Sequence, residues 1–201
     1  VEVSDGGDWL AAGNADSDWL WITRLDPGGK PGASQEFRAD SGAFTGMTGV
    51  RGLAFSPDGR TLYLIANGSR CVFAFSESGG TWNLAGKLEL DLQPCGTLVT
   101  LKGITVSADG MVLALAAAGS DTVILLNASG SALSWAGEAR KSAGFTDLDY
   151  PQIIHFSPAG RTLAIACKDS SKLLFVDCTN PAAPALIAAL TPGYDVELVD
   201  P

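Results

Sequence analysis

The sequence predicts an all-β fold, a β-propeller built from four four-stranded blades, and three observations support this prediction. A Ser-x-x-Gly turn motif occurs four times, each time after a short apolar segment and before a longer one. The motifs recur about every 50 residues, a period typical of propeller blades. No segment has the apolar spacing of an amphipathic helix. The four motifs begin at Ser4, Ser56, Ser107 and Ser157.

The second repeat shows the elements of one blade in order. Its motif reads as a type I turn, because Pro57 suits the second turn position and Gly59 the fourth. The strand after this turn is almost wholly apolar, as expected when both of its faces are buried. The predicted strands are residues 53–56, 61–66, 71–75 and an outer strand within 82–90.

The other repeats match this template, and the chain begins within a strand at residues 1–3. The repeats cover the whole length, which predicts one domain over residues 1–201. The predicted blades are residues 1–50, 51–101, 102–151 and 152–201. The predicted second strands are 9–12, 112–115 and 162–166, the third strands 19–22, 123–126 and 173–176, and the fourth strands 35–38, 133–136 and 185–190.

Composition and charge disfavour several classes of protein. A formal net charge of −9 argues against a nucleic-acid-binding surface, which is normally basic. The longest apolar run, residues 111–118, is far shorter than the ~18 residues that span a bilayer. The chain begins without Met and without a signal peptide. We interpret it as a processed or excised chain and favour a secreted or periplasmic location.

The four cysteines, Cys71, Cys95, Cys167 and Cys178, include no Cys-x-x-Cys pair, and the chain has one histidine. This pattern excludes a zinc site, and no cofactor is predicted. Cys167 and Cys178 should lie at opposite ends of a hairpin, too far apart for a disulfide. Cys71 and Cys95 could meet only if the loop after Leu90 folded back. All four are expected to be small buried side chains.

Two segments carry a family resemblance. Residues 53–63 read Leu-Ala-Phe-Ser-Pro-Asp-Gly-Arg-Thr-Leu-Tyr, and residues 155–163 read His-Phe-Ser-Pro-Ala-Gly-Arg-Thr-Leu. Both segments resemble WD40-like and YVTN-type propeller repeats. Bacterial lactonase-like propellers contain similar sequences. The chain departs from the WD40 pattern, because no Trp-Asp pair closes a third strand and no Gly-His opens a blade. It also lacks the Tyr-Val-Thr-Asn tetrad. The resemblance implies the propeller fold, while the departures leave the activity open.

Four blades raise the question of how the first and last are covered, since an open array exposes broad apolar faces. The chain could close on itself, pair with a second copy to make eight blades, or form part of a larger ring. Joining Pro201 to Val1 would continue the period, which indicates a whole number of blades. A larger assembly is slightly favoured, because strands with sequences of this kind usually occur in rings of about seven blades.

A candidate ligand site lies where the loops that enter the first strands meet the turns between second and third strands. Aligning the repeats places Arg51, Lys102 and Gln152 at one equivalent position, where they would ring the mouth of a central channel. Donors gathered on one face of an acidic protein could hold a small anionic ligand. The candidate residues are Arg51, Lys102, Gln152, His155, Arg70 and Lys168.

Other polar residues allow weaker hypotheses. Closure as four blades would bring Glu2 near His155 as an acid–base pair, although a buried, hydrogen-bonded histidine is the more common arrangement. Two Asp-x-Asp pairs in loops, 16–18 and 147–149, could contribute to a calcium site, although solvated turn carboxylates are far more common.

The main functional hypothesis is a non-catalytic binding or assembly module, with a ligand or partner at the channel-mouth face. A protein partner or self-association of the chain is expected with it. The alternative is a lactonase-like hydrolase that acts on an anionic sugar acid or lactone through Arg51, Lys102 and His155. A third hypothesis is a structural surface protein that assembles through its open blade faces.

Overall fold

The computed structural model describes residues 1–39, 42–158, 160–191 and 197–198. Within these ranges the chain has antiparallel strands, four 3₁₀ turns and no α-helix. None of the described residues forms a helix long and apolar enough to cross a membrane. The strands are β1 (Glu2–Val3), β2 (Trp9–Asn14), β3 (Trp19–Leu25), β4 (Pro31–Arg38), β5 (Val50–Phe55), β6 (Thr61–Ala66), β7 (Cys71–Ser78), β8 (Thr81–Glu89), β9 (Leu101–Val106), β10 (Val112–Ala117), β11 (Thr122–Ser129), β12 (Ala132–Arg140), β13 (Pro151–Phe156), β14 (Thr162–Cys167), β15 (Lys172–Asp177), β16 (Ala185–Leu190) and β17 (Glu197–Leu198).

These strands form four sheets in which each strand pairs with the next, and each sheet is one propeller blade. Blade 1 holds β1–β4, blade 2 β5–β8, blade 3 β9–β12 and blade 4 β13–β17. The predicted all-β propeller of four repeats is therefore confirmed. One detail differs, because β17 adds a fifth strand at the outer edge of blade 4. Ala159 of the fourth turn and the predicted junction at Pro201 lie outside the described residues.

The Ser-x-x-Gly motif folds as a hydrogen-bonded turn between the first and second strands. In blade 2 the amide of Gly59 donates to the Ser56 carbonyl at 2.8 Å, and Gly59 has a φ of 68°. The Ser56 hydroxyl donates to Asp58 Oδ1 at 2.6 Å and accepts the Thr61 amide at 2.9 Å. This serine therefore joins the turn to the strand that follows it.

The described residues form two compact units. The first comprises Val1–Leu92 with Ala128–Leu133, and the second Gln93–Asn127 with Ser134–Pro201. β6 in the first unit and β10 in the second are buried at every position, as the sequence predicts for second strands. The first core includes Leu20, Ile22, Leu62, Leu64, Phe73, Phe75 and Trp82, and the second includes Val112, Leu125, Ile154, Leu163, Ile165, Leu174 and Val176.

Within each unit, an aspartate joins the two blades. Asp18 and Asp121 precede the third strands of blades 1 and 3, with left-handed φ values of 52° and 47°. Asp18 Oδ1 accepts the Gly49 amide of blade 2 at 2.6 Å, and Asp121 Oδ1 accepts the Tyr150 amide of blade 4 at 2.9 Å. Each bond fixes the loop that enters the first strand of the following blade.

The four cysteines are buried and free, as predicted. Burial raises the pKa of the Cys167 thiol to about 11 and that of the Cys178 thiol to about 12. Thiols with such pKa values are poor nucleophiles near neutral pH. Cys167 and Cys178 therefore contribute packing rather than nucleophilic chemistry.

Candidate functional site

Arg51, Lys102 and Gln152 each lie at an irregularity in the first strand of their blade. In blade 2, Val50 pairs with Ala66 and Gly52 with Ile65, which leaves Arg51 as the extra residue of a β-bulge. Gln152 is the extra residue in blade 4, and the pairing of β9 with β10 shifts at Lys102. Bulges redirect side chains and are frequent beside active sites. The three residues thus share one backbone environment as well as one sequence position.

The backbone around these bulges is held by a repeated pair of hydrogen bonds. In blade 2 the amides of Asn67 and Gly68 donate to the carbonyls of Gly49 and Thr48, each at 2.9 Å. The corresponding turns of blades 3 and 4 donate to their own entering loops in the same way. The loops that enter the first strands therefore lie beside the turns between second and third strands, so the bulge side chains project from a fixed edge.

In the second unit, the strands that carry Lys102 and Gln152 pack closely. A β-carbon placed on Gly103 would lie 2.9 Å from the Gln152 carbonyl oxygen, closer than real side chains come. The Phe156 amide donates to Thr105 Oγ1 at 3.4 Å, which joins β13 to β9. The structure therefore places the bulges of blades 3 and 4 on neighbouring strands. Both side chains are half-buried.

Lys168 is exposed in the turn after β14. Its Nζ lies 5.1 Å from the centre of the Tyr150 ring and 3.9 Å from Asp169 Oδ1. Exposed ion pairs at such distances contribute little to stability. The Lys168 ammonium therefore remains available to an anion beside the loop that enters blade 4.

Arg51 and Arg70 lie in the first unit and differ in their partners. Arg51 is exposed, and its side chain has no hydrogen bond or ion pair within the described part of the chain. Arg70 Nε donates to Asp91 Oδ1 at 2.7 Å and Nη2 lies 2.6 Å from Oδ2. The hydrogen bond from Arg70 lowers the pKa of Asp91. Arg70 is thus already engaged, whereas Arg51 is free.

His155 lies in β13 opposite Ala164 and is exposed. Ile154, the next residue back, belongs to the core of the second unit, so His155 occupies the other face of the strand. The alternative of a buried, hydrogen-bonded histidine is therefore wrong. Glu2 lies in the first unit and His155 in the second.

The Asp-x-Asp pair of blade 4 is held by lysines. Lys141 Nζ contacts Asp149 Oδ2 at 2.5 Å, and Lys172 Nζ lies 3.6 Å from Asp147 Oδ2. The hydrogen bond to Asp149 raises the pKa of Lys141. Across residues 1–39, 42–158, 160–191 and 197–198, no group of three His, Cys, Asp or Glu side chains could hold a metal ion.

Sequence reasoning missed a cavity of about 550 Å³ in the first unit. It lies beside the turn between β3 and β4, away from the loops that hold Arg51. Trp9 and Arg24 line it and pair opposite each other on β2 and β3. The sequence contained the apolar residues of this cavity, but only the strand register shows that Trp9 meets Arg24.

Comparison with known proteins gives one family match. The family described as lactonase, 7-bladed β-propeller, matches residues 1–180. No curated protein matches the chain.

Many solved structures share the fold. A putative 6-phosphogluconolactonase from Bacteroides uniformis is 15% identical, with a TM-score of 0.70 over 96% of this chain and 57% of that one. The periplasmic gluconolactonase of Pseudomonas aeruginosa is 22% identical, with a TM-score of 0.71 over 100% and 56%. Chaetomium thermophilum Sqt1, bound to the N-terminus of ribosomal protein L10, is 18% identical, with a TM-score of 0.68 over 94% and 47%. The chain thus spans little more than half the length of the lactonases it resembles.

These findings correct the main functional hypothesis. A non-catalytic binding or assembly module was expected, yet the family match and the structural neighbours named as lactonases favour the hydrolase alternative. The expectation was wrong because it relied on the absence of a recognisable catalytic motif from the sequence.

Proposed function

The chain belongs to the 7-bladed β-propeller lactonase family, and from this we propose that it contributes the substrate-binding edge of a hydrolase that opens an anionic sugar-acid lactone. The proposal concerns sugar lactones because the neighbours named as gluconolactonase and 6-phosphogluconolactonase share this fold. The charge of the proposed substrate follows from the side chains of this chain.

The observation that supports the proposal is the pair of strand irregularities in the second unit that carry Lys102 and Gln152 on neighbouring strands. Lys102 is a cation, and charge-assisted hydrogen bonds to a carboxylate or phosphate are about twice as strong as neutral ones. In the first unit, Arg51 offers a cation at the equivalent bulge. The Gln152 amide can donate to the carbonyl oxygen of a lactone as negative charge develops there. Lys168 adds a cation beside the loop that enters blade 4.

The reaction needs only water and proton transfer. Water attacks the lactone carbonyl, the ring C–O bond breaks, and the proton lost by the water reaches the departing alkoxide. We propose His155 as the group that carries this proton, because imidazole is the side chain most often used for this task. In the first unit, Arg70 is proposed to position the turn beside the loop that precedes Arg51, since its pairing with Asp91 fixes the turn before β7.

The test measures acid release from gluconolactone and 6-phosphogluconolactone above the uncatalysed rate. We expect activity on the phosphorylated lactone, and a loss of about tenfold or more in kcat/KM for Lys102→Gln, since one charge-assisted bond is worth roughly 1.5–3 kcal/mol. Lys30→Gln, in the turn before β4, is the matched control and should retain full activity. Absence of activity on both lactones, or equal activity in Lys102→Gln, would refute the proposal.

Two further expectations belong with this function. We propose a periplasmic or secreted location, supported by the periplasmic gluconolactonase among the structural neighbours. Association with a second copy of the chain is also proposed, on the basis of the exposed apolar residues of blade 4.

A further inference from the structure

The cavity in the first unit has the size and lining of a ligand pocket. Its volume of about 550 Å³ lies within the range of known binding sites, roughly 300–1,000 Å³. Such sites combine an apolar wall with a few polar groups. The side chains that matter here are Trp9, Ile22, Arg24, Leu25, Pro27 and Ala33.

An aromatic wall is fixed at one side of this cavity. The half-buried Trp9 ring packs at 88° to Trp82, with 5.5 Å between ring centres. Trp82 is held by Gln35, whose Oε1 accepts its amide at 2.7 Å. Arg24 Cζ lies 5.9 Å from the centre of the Trp9 ring. The indole therefore has a set orientation, with a guanidinium beside it.

The polar groups are balanced between donors and acceptors. Neither the Arg24 guanidinium nor the Asp8 carboxylate has a hydrogen bond or ion pair among the described residues. Asp26 is different, because its Oδ1 accepts the amides of Gly28 and Lys30 at 2.9 Å each. Arg24 thus offers free donors to the cavity and Asp8 a free acceptor.

The charge at this edge argues against an anion. A second cavity of about 470 Å³ shares Asp8, Trp9 and Arg24 with the first and adds Asp58, Arg60 and Glu77. Carboxylates therefore outnumber guanidinium groups around the two cavities. A carboxylate or phosphate ligand would meet like charge here, whereas a neutral ligand would not.

We propose that this cavity binds a neutral saccharide unit. Each sugar hydroxyl both donates and accepts, so Arg24 and Asp8 can satisfy neighbouring hydroxyls. The C–H face of a sugar ring carries partial positive charge, which suits the negative face of an indole. This site is separate from the bulge residues, and it does not depend on the proposed hydrolase activity.

Saturation-transfer NMR on the full chain tests the proposal with glucose, galactose, N-acetylglucosamine and cellobiose as probes. We expect at least one of them to bind. Ala33→Trp should abolish the signal, because Ala33 lines the cavity on β4 and a larger side chain would fill it. Ala85→Trp, on the exposed outer strand of blade 2, is the matched control and should bind like the wild type.

A second pair of variants keeps the test independent of folding defects. Arg24→Gln and Asp8→Asn change exposed groups and should each weaken binding by about tenfold. The proposal is overturned if no saccharide binds the wild type, or if binding survives Ala33→Trp. It is also overturned if gluconate displaces the bound sugar as effectively as the neutral probes, since that result would assign the cavity to anions.

Discussion

Asp109 lies in the Ser-x-x-Gly turn of blade 3, and its ionisation makes the stability of this turn depend on pH. Partial burial opposes its ionisation, but the Ser107 hydroxyl, the Met111 amide and Arg161 outweigh this and lower its pKa to about 2. Arg161 Nη2 lies 2.7 Å from Asp109 Oδ2 and joins the turns of blades 3 and 4.

A depressed pKa makes the contribution of Asp109 depend on pH. The stabilisation is present above the ordinary aspartate pKa of 3.8 and is lost as pH falls toward about 2, because the unfolded chain then binds the proton more readily. We expect Asp109→Asn to lower the urea midpoint at neutral pH and to match the wild type near pH 2. Asp5→Asn, in the turn of blade 1, is the control. A difference between Asp109→Asn and wild type that did not vary with pH would contradict this assignment.

Single residues also show how far the sequence could predict the structure. The turn at Ser56 was predictable because proline and glycine restrict φ locally. The alignment of the repeats showed that Arg51 occupies the same position as Lys102 and Gln152, but it did not show that this position is a β-bulge. A bulge depends on the register between β5 and β6, which the sequence does not specify. The pairing of Trp9 with Arg24 and the bond from Asp18 to Gly49 join residues distant in sequence, so no local pattern specified them.

At the scale of elements, the hydrogen bonds from Asp18 and Asp121 join neighbouring blades, so their loss should lower the free energy of unfolding. Asp18→Ala would leave the half-buried Gly49 amide without its acceptor, and a hydrogen bond to a charged group contributes about 1.5–3 kcal/mol. We expect a loss of that order in urea unfolding, with most of the stability recovered in Asp18→Asn, which keeps an oxygen acceptor. Asp16→Ala, two residues earlier and exposed, should change little. Equal stability of Asp18→Ala and wild type would show that the bond does not join the blades.

At the scale of the whole molecule, blade 4 presents apolar side chains to solvent. Ile153 is 61% exposed and Ile187 is 39% exposed. In blade 3 the position of Ile153 is taken by Gly103, which packs against the backbone of blade 4. The equivalent face of blade 3 is covered by blade 4, and the proposed association with a second copy would cover this face in the same way.

Sedimentation of the protein should accordingly show a mass that rises with concentration. Ile153→Lys should shift the population toward monomer, because a charge on an apolar contact is costly to bury. Met111→Lys changes a residue of similar exposure in the turn of blade 3 and should leave association unchanged. A monomer at all concentrations would refute self-association.

The aspartate links have a further consequence, which concerns whether a ring contains an even or an odd number of blades. Blades 1 and 3 supply the linking aspartate, whereas blades 2 and 4 have Arg70 and Ser171 at that position. Blades 2 and 4 alone share the sequence Phe-Ser-Pro-x-Gly-Arg-Thr-Leu. The chain therefore alternates between two kinds of blade, one that supplies the linking aspartate and one that does not. A ring with an even number of blades can keep this alternation all the way round, but a ring of seven must contain one seam where two blades of the same kind meet.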